Sequence, residues 1–172
     1  VNKVGTHELV KVLTMSSSYA GSDPVVVWSG REVWRMEGSD ASTLSRPYLV
    51  SRYGTRSPHS VVRFGASALY LDSSRQVRVL HDPRTAISRT YVDDKPKGIP
   101  DARLPHVPAA LFQDRYYLAI TPLADTNNTQ ILIFDTRTNG WFSDSTSSTA
   151  RFQRLFATVE GEREKLFFFS TN

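Results

Sequence analysis

A strand–turn–strand unit recurs along this chain and leaves few folds open to it. The unit is clearest from Ala109 to Phe142 (AALFQDRYYLAITPLADTNNTQILIFDTRTNGWF). A short apolar run at Leu111-Phe112 is followed by a polar turn at Asp114-Arg115. Tyr116 to Thr121 then alternates, with Tyr116, Leu118 and Ile120 on one face and Tyr117 and Ala119 on the other, the period of a strand. A polar loop from Ala124 to Gln130 leads to the near-continuous apolar run Ile131 to Phe134. Asn139-Gly140 marks the next turn, because both residues tolerate positive φ. The spacing places Leu118, Ile120, Ile131, Ile133 and Phe134 in the core.

Similar units begin near Val25, Val61, Ala109 and Leu155, separated by 36, 48 and 46 residues. Their second strands carry Val33-Trp34, Leu69-Tyr70-Leu71, Tyr116-Tyr117-Leu118 and Leu166-Phe167-Phe168. A four-stranded propeller blade takes ~40–45 residues. The spacing therefore predicts an all-β chain of antiparallel four-stranded-sheet repeats, β-propeller-like, with about four blades in a single domain over residues 1–172. The alternative is a β-sandwich, which also gives short strands with frequent turns. No stretch shows the 3.6-residue apolar period of a helix, and β-branched and aromatic residues dominate the apolar set.

Between these units, Leu9 to Met15 alternates well enough for a strand, and Tyr48 to Tyr53 reads as another. Gln76 to Leu80 adds a third. His81 to Pro108 is the longest weakly structured region. It contains Pro83, Pro96, Pro100, Pro105 and Pro108, with a short strand expected at Thr90 to Val92.

The 172 residues include no cysteine. This excludes disulfides, thiolate metal sites and cysteine nucleophiles. No apolar run approaches the ~20 residues of a membrane-spanning helix, and the first dozen residues lack a signal-peptide core. The chain begins at Val1, which suggests a piece of a longer protein or a processed one. Net charge is +4, yet arginines and acids are interspersed. That is the pattern of a solvated surface rather than the dense basic run of a nucleic-acid reader.

Catalytic and metal motifs are lacking. Gly65 to Leu69 resembles a nucleophile elbow but lacks the closing glycine and the following helix, so it reads as a hairpin turn. His7, His59, His81 and His106 are scattered. Asp125-Thr126-Asn127 starts like a calcium loop without the downstream glycine and glutamate. Asp72, Asp114 and Asp135 sit at hairpin turns without evident partners, whereas glycoside hydrolysis needs two facing carboxylates. Trp28, Trp34 and Trp141 lie in or beside strands and read as packing residues. No cofactor or metal is expected.

Gly54 to Leu80 (GTRSPHSVVRFGASALYLDSSRQVRVL) resembles a unit of bacteriophage tail and neck proteins, a Gly-x-x-x-Pro-x-Ser-Val-Val segment before a hairpin and a strand ending in Val-Arg. Arg115 to Phe142 resembles the next unit of those proteins, a Tyr-Tyr-Leu strand leading to an apolar run, Asp and a closing Trp. The family comprises the nozzle, hub and packaged-DNA-stabilisation proteins of short-tailed phages. Its members are usually much longer than this chain. The resemblance implies a non-catalytic structural component of the virion, made in the host cytoplasm, that forms a homo-oligomeric ring with other tail or neck proteins. It also implies proximity to packaged DNA without sequence-specific binding. The alternative is a carbohydrate-binding or carbohydrate-active propeller.

The terminal strands, Leu9 to Met15 and Lys165 to Phe169, are apolar and free of proline. Such edges either pair with each other, closing the ring, or pack on a neighbour. Prolines limit the entropy a loop loses on docking. The expected interface residues are therefore Asp93, Lys95, Pro96, Lys97, Ile99, Pro100, Arg103, Leu104 and His106 of the proline-rich segment, with Leu166 and Phe168 of the last strand.

Overall fold

Near-continuous apolar strands such as those through Ala68–Leu71 and Ile131–Phe134 bury both faces, and the fold does so by stacking sheets. A computed structural model of the chain describes residues 8–15, 23–38, 42–88, 94–122, 127–145, 151–161 and 163–170. The expected strand at Thr90 to Val92, Asp93, and the Asp125-Thr126 pair lie outside the described residues.

Among the described residues, fourteen strands form four antiparallel sheets. The first sheet holds β1 (Leu9–Thr14), β2 (Val25–Ser29), β3 (Val33–Met36) and β4 (Tyr48–Ser51). The second holds β5 (Val62–Phe64), β6 (Ser67–Leu71), β7 (Val77–Val79) and β8 (Asp82–Ala86). The third holds β9 (Ala109–Phe112), β10 (Arg115–Ile120), β11 (Gln130–Asp135) and β12 (Gly140–Ser145). A terminal hairpin, β13 (Phe152–Glu160) and β14 (Arg163–Ser170), is the fourth. Among the described residues, helix is confined to a 3-10 turn at Pro58–Ser60, one turn α1 (Asp94–Lys97) and a 3-10 segment at Asp101–His106. The architecture is thus all-β, built from propeller-like repeats of four-stranded sheets.

Each repeat is a meander whose strands pair in sequence order. The unit starting at Val25 is therefore the middle of the first sheet (β2–β3), whereas those at Val61, Ala109 and Leu155 open their sheets. The misalignment arose because β1 precedes a long connection and resembles an isolated strand. Three complete sheets and a two-stranded hairpin replace the expected four blades. β8 was not anticipated, since Asp82-Pro83-Arg84-Thr85 has no apolar alternation. Proline is tolerated there because β8 is an edge strand.

Alternation decides which residues join which core. In β6, Ala68 and Tyr70 pack toward the first sheet with Met15, Val26, Trp28 and Val33. Leu69 and Leu71 pack the other way, with Tyr116, Leu118, Ile120, Leu132 and Phe134 of the third sheet. In turn Ala119 and Ile131, on the far face of the third sheet, meet Phe152 and Leu155 of the hairpin. Ile133 is half-buried at the rim of that last core rather than inside it. Trp28 meets Tyr70 edge to face, centroids 6.0 Å apart.

The resemblance motif around Gly54 holds the first sheet to the second. A Cβ on Gly54 would lie 2.3 Å from the Ser29 carbonyl oxygen and 2.4 Å from the Glu32 nitrogen, so only glycine fits against the β2–β3 turn. Pro58 opens the 3-10 turn. Ser60, fully buried, accepts a hydrogen bond at Oγ from the Leu71 amide (3.1 Å), and its carbonyl accepts from the Tyr116 hydroxyl (2.8 Å). Thr55 Oγ1 donates to the Leu71 carbonyl at 2.6 Å. These bonds satisfy buried polar groups that would otherwise be costly. They fasten the linker to the second and third sheets, while the Gly54 and Thr55 amides donate to the Arg31 and Ser29 carbonyls of the first.

Candidate functional site

The acids expected at hairpin turns are structural. Asp72, 1% exposed, accepts from Arg78 Nε at 2.5 Å and from the Gln76 amide at 2.8 Å. The Arg78 guanidinium also donates to the carbonyl oxygens of Pro83 (2.8 Å) and Arg84 (3.1 Å) and lies 3.6 Å over the Tyr53 ring. Asp135 closes the β11–β12 turn. Its carboxylate accepts from Arg115 Nε (3.2 Å) and from the amides of Arg137 (3.0 Å) and Thr138 (3.2 Å). The Arg115 bond, then the turn amides, hold its carboxyl below the usual range. Asp114 is exposed and 3.8 Å from Arg137. The described residues contain no group of three or more metal-ligating side chains. No described helix is long and apolar enough to cross a membrane.

What distinguishes the molecule is a partly exposed apolar face at each end of the described stack. Because Val26 and Trp28 face the second sheet, residues in register with Val27 lie on the other face of the first sheet. Val12 and Trp34 pair with Val27, and Leu49 pairs with Trp34. Val12 is 53% and Leu49 38% exposed. Trp34 is half-buried on this face, its Nε1 donating to Glu32 at 3.2 Å. It is thus the one tryptophan outside the cores between sheets, since Trp28 is buried and Trp141 donates to the Ile87 carbonyl at 3.1 Å. At the other end, Phe156 stacks on Phe167 (5.1 Å) and Phe169 (5.5 Å). These three rings remain 41%, 38% and 56% exposed. Apolar patches of this kind mark interaction surfaces.

The hairpin also leaves an open edge. β14 pairs only with β13 and β1 only with β2 among the described residues. The two terminal strands do not close the ring by pairing with each other.

The proline-rich segment divides by residue. Ile99 (1% exposed) and Leu104 (buried) belong to the core between the second and third sheets, and Pro96 is buried as well. Isolated apolar residues of a loop-like sequence, Ile99 and Leu104 plug the core between the second and third sheets. Lys95, Lys97 and His106 are exposed, and Pro100 and Arg103 half-buried. Leu166 packs against the hairpin core, while Phe168 is half-exposed beside Phe152, 5.6 Å between centroids. Asp93 is outside the described residues. Sequence reading missed the outer face of the first sheet, because Val12, Val27, Trp34 and Leu49 gather on one surface only through strand register.

Comparison with known proteins finds no matching family model and no matching curated protein.

Proposed function

We propose that this protein is a non-catalytic structural component of a tailed-phage virion, at the tail, nozzle or head-to-tail neck, and that it acts through assembly with further copies of itself. One observation carries the reading. The described stack ends in two partly exposed apolar faces, Val12/Trp34/Leu49 and Phe156/Phe167/Phe169, of the same chemistry as the faces packed inside it. A second copy seated with its first sheet on the terminal hairpin continues the stacking that already joins each sheet to the next. Such a contact is heterologous, so its repetition gives a ring when the rotation closes. The sequence resemblance over Gly54 to Leu80 and Arg115 to Phe142 supports the virion setting, with other tail or neck proteins as neighbours.

The acids at the hairpin turns are tied to arginines and turn amides, which favours structure over the two-carboxylate chemistry of a sugar-cleaving propeller. The test combines light scattering over a range of concentrations with a glycan array and a glycosidase panel. Concentration-dependent self-association without sugar binding is expected. A strict monomer that binds or cleaves a defined glycan would replace this reading with the carbohydrate one.

A further inference from the structure

The fold gathers arginines that are far apart in sequence. A cleft of about 250 Å³ opens between the 3-10 segment Asp101–His106 and the start of β13. Arg103 and His106 line one side, Arg151 and Arg154 the other, and among the described residues no acidic side chain contributes to its wall. Among the described residues, none of the three guanidinium groups has an ion pair or a side-chain hydrogen bond, whereas Arg35, Arg56, Arg75, Arg78, Arg115 and Arg137 all face carboxylates.

The two walls are fixed relative to each other. Asn128, 7% exposed, donates from Nδ2 to the His106 carbonyl and to the Phe152 carbonyl, both at 2.9 Å. Its Oδ1 accepts from the Thr121 hydroxyl at 2.7 Å, and its own carbonyl accepts the Phe152 amide at 2.9 Å. One buried amide thus pins both cationic segments with all its side-chain donors and its acceptor engaged. Partial burial, and then the nearby charges of Arg154, Lys11 and His106, make His59 harder to protonate than an ordinary histidine.

We propose that this cleft is a binding site for a phosphate group, either a free phosphate or the phosphodiester of a nucleic-acid backbone. Guanidinium forks match the paired oxygens of phosphate. Three of them with no carboxylate partner among the described residues, held on a preorganised frame, lower the cost of ordering the site on binding. The volume accommodates a phosphate group with several waters at ~30 Å³ each. The site reads no base sequence. Arg154 pairs across to Phe169 and so borders the hairpin face used in the assembly reading, whereas Arg103 and His106 belong to the 3-10 segment; light scattering of the cleft variant therefore separates loss of phosphate binding from loss of assembly.

The test measures inorganic phosphate by calorimetry, and a short single-stranded oligonucleotide and its duplex by fluorescence anisotropy as salt is raised from about 50 to 200 mM. The cleft variant is Arg103→Ala with Arg154→Ala. The control, Arg63→Ala with Arg84→Ala, removes the same charge elsewhere. Unfolding midpoints verify that both fold, and Arg151→Glu, at an exposed position, serves if the cleft pair does not. The cleft variant should bind about tenfold more weakly, with a salt dependence shallower by about two phosphate contacts. The control should stay within about threefold of the parent. Binding of phosphate alone assigns the site to free phosphate, and binding of oligonucleotide assigns it to the backbone. No binding of any probe, or equal loss in cleft and control variants, overturns the proposal.

Discussion

Asp72 and Arg78 are both buried almost completely, and each satisfies the other's charge while bonding to nearby backbone. Removing one partner strands the other in a low-dielectric site. Asp72→Ala should therefore destabilise the protein by ~3–5 kcal/mol, read from urea unfolding midpoints. Arg78 would lose its anion but keep the Pro83 and Arg84 carbonyl oxygens. Asp135 supplies a pH signature. Its carboxyl is held below the usual carboxylate range by Arg115 and the turn amides, so the unfolded chain takes up a proton first as pH falls. The contribution is fully present above the unfolded pKa and disappears as pH drops through the lower folded one. Stability should therefore fall on acidification below about pH 4, and Asp135→Asn should fall less steeply over that range. An identical pH profile for the two proteins would show that the Arg115 bond to Asp135 contributes nothing. Neither ion pair was legible in the sequence. Asp72 and Arg78 are six positions apart on opposite sides of a turn, a spacing no helix rule highlights. Only the β6–β7 register joins them.

The hairpins are the level at which sequence was most informative, because period-two alternation and turn residues act over a few neighbours. The β10 and β11 core faces were legible down to the residue, apart from Ile133. The β9–β10 turn was expected one residue late, at Asp114-Arg115. It consists of Gln113 and Asp114, both at positive φ (49° and 59°), with Arg115 paired across to Phe112. This is the two-residue turn that favours Asn-Gly, and Gln113 gave no sign of adopting it. Replacing the pair (Gln113→Asn with Asp114→Gly) should raise stability by ~0.5–1 kcal/mol. The substitution at Asp114 also removes its ion pair with Arg137, which is exposed and worth little. A lower unfolding midpoint would mean the turn is fixed by its surroundings rather than its own conformational preference. β8 stayed hidden for the opposite reason. Its pairing is supplied by β7, and its own residues carry no strand signal.

The order in which sheets stack depends on contacts between residues tens of positions apart, so neither the arginine cleft nor the two partly exposed end faces could be read from local pattern. The cleft joins Arg103 to Arg154, and the outer face of the first sheet joins Val12 to Leu49. The repeat itself was legible, since each unit carries its own alternation. The number of complete sheets was not, because a two-stranded hairpin and a four-stranded sheet begin alike.

If the ends join head to tail, each subunit contributes two different surfaces, and they are separable by mutation. Val12→Glu places a charge on the first-sheet face, and Phe167→Glu places one on the hairpin face, both at exposed positions. The decisive measurement is light scattering of the parent, of each variant alone and of the two variants mixed. The parent should exceed the 19.4 kDa chain mass in a concentration-dependent way, and each variant alone should be monomeric. The equimolar mixture, retaining one intact pair of faces, should stop at the dimer. A monomeric parent, or a single variant that associates as the parent does, would contradict assembly through these two faces.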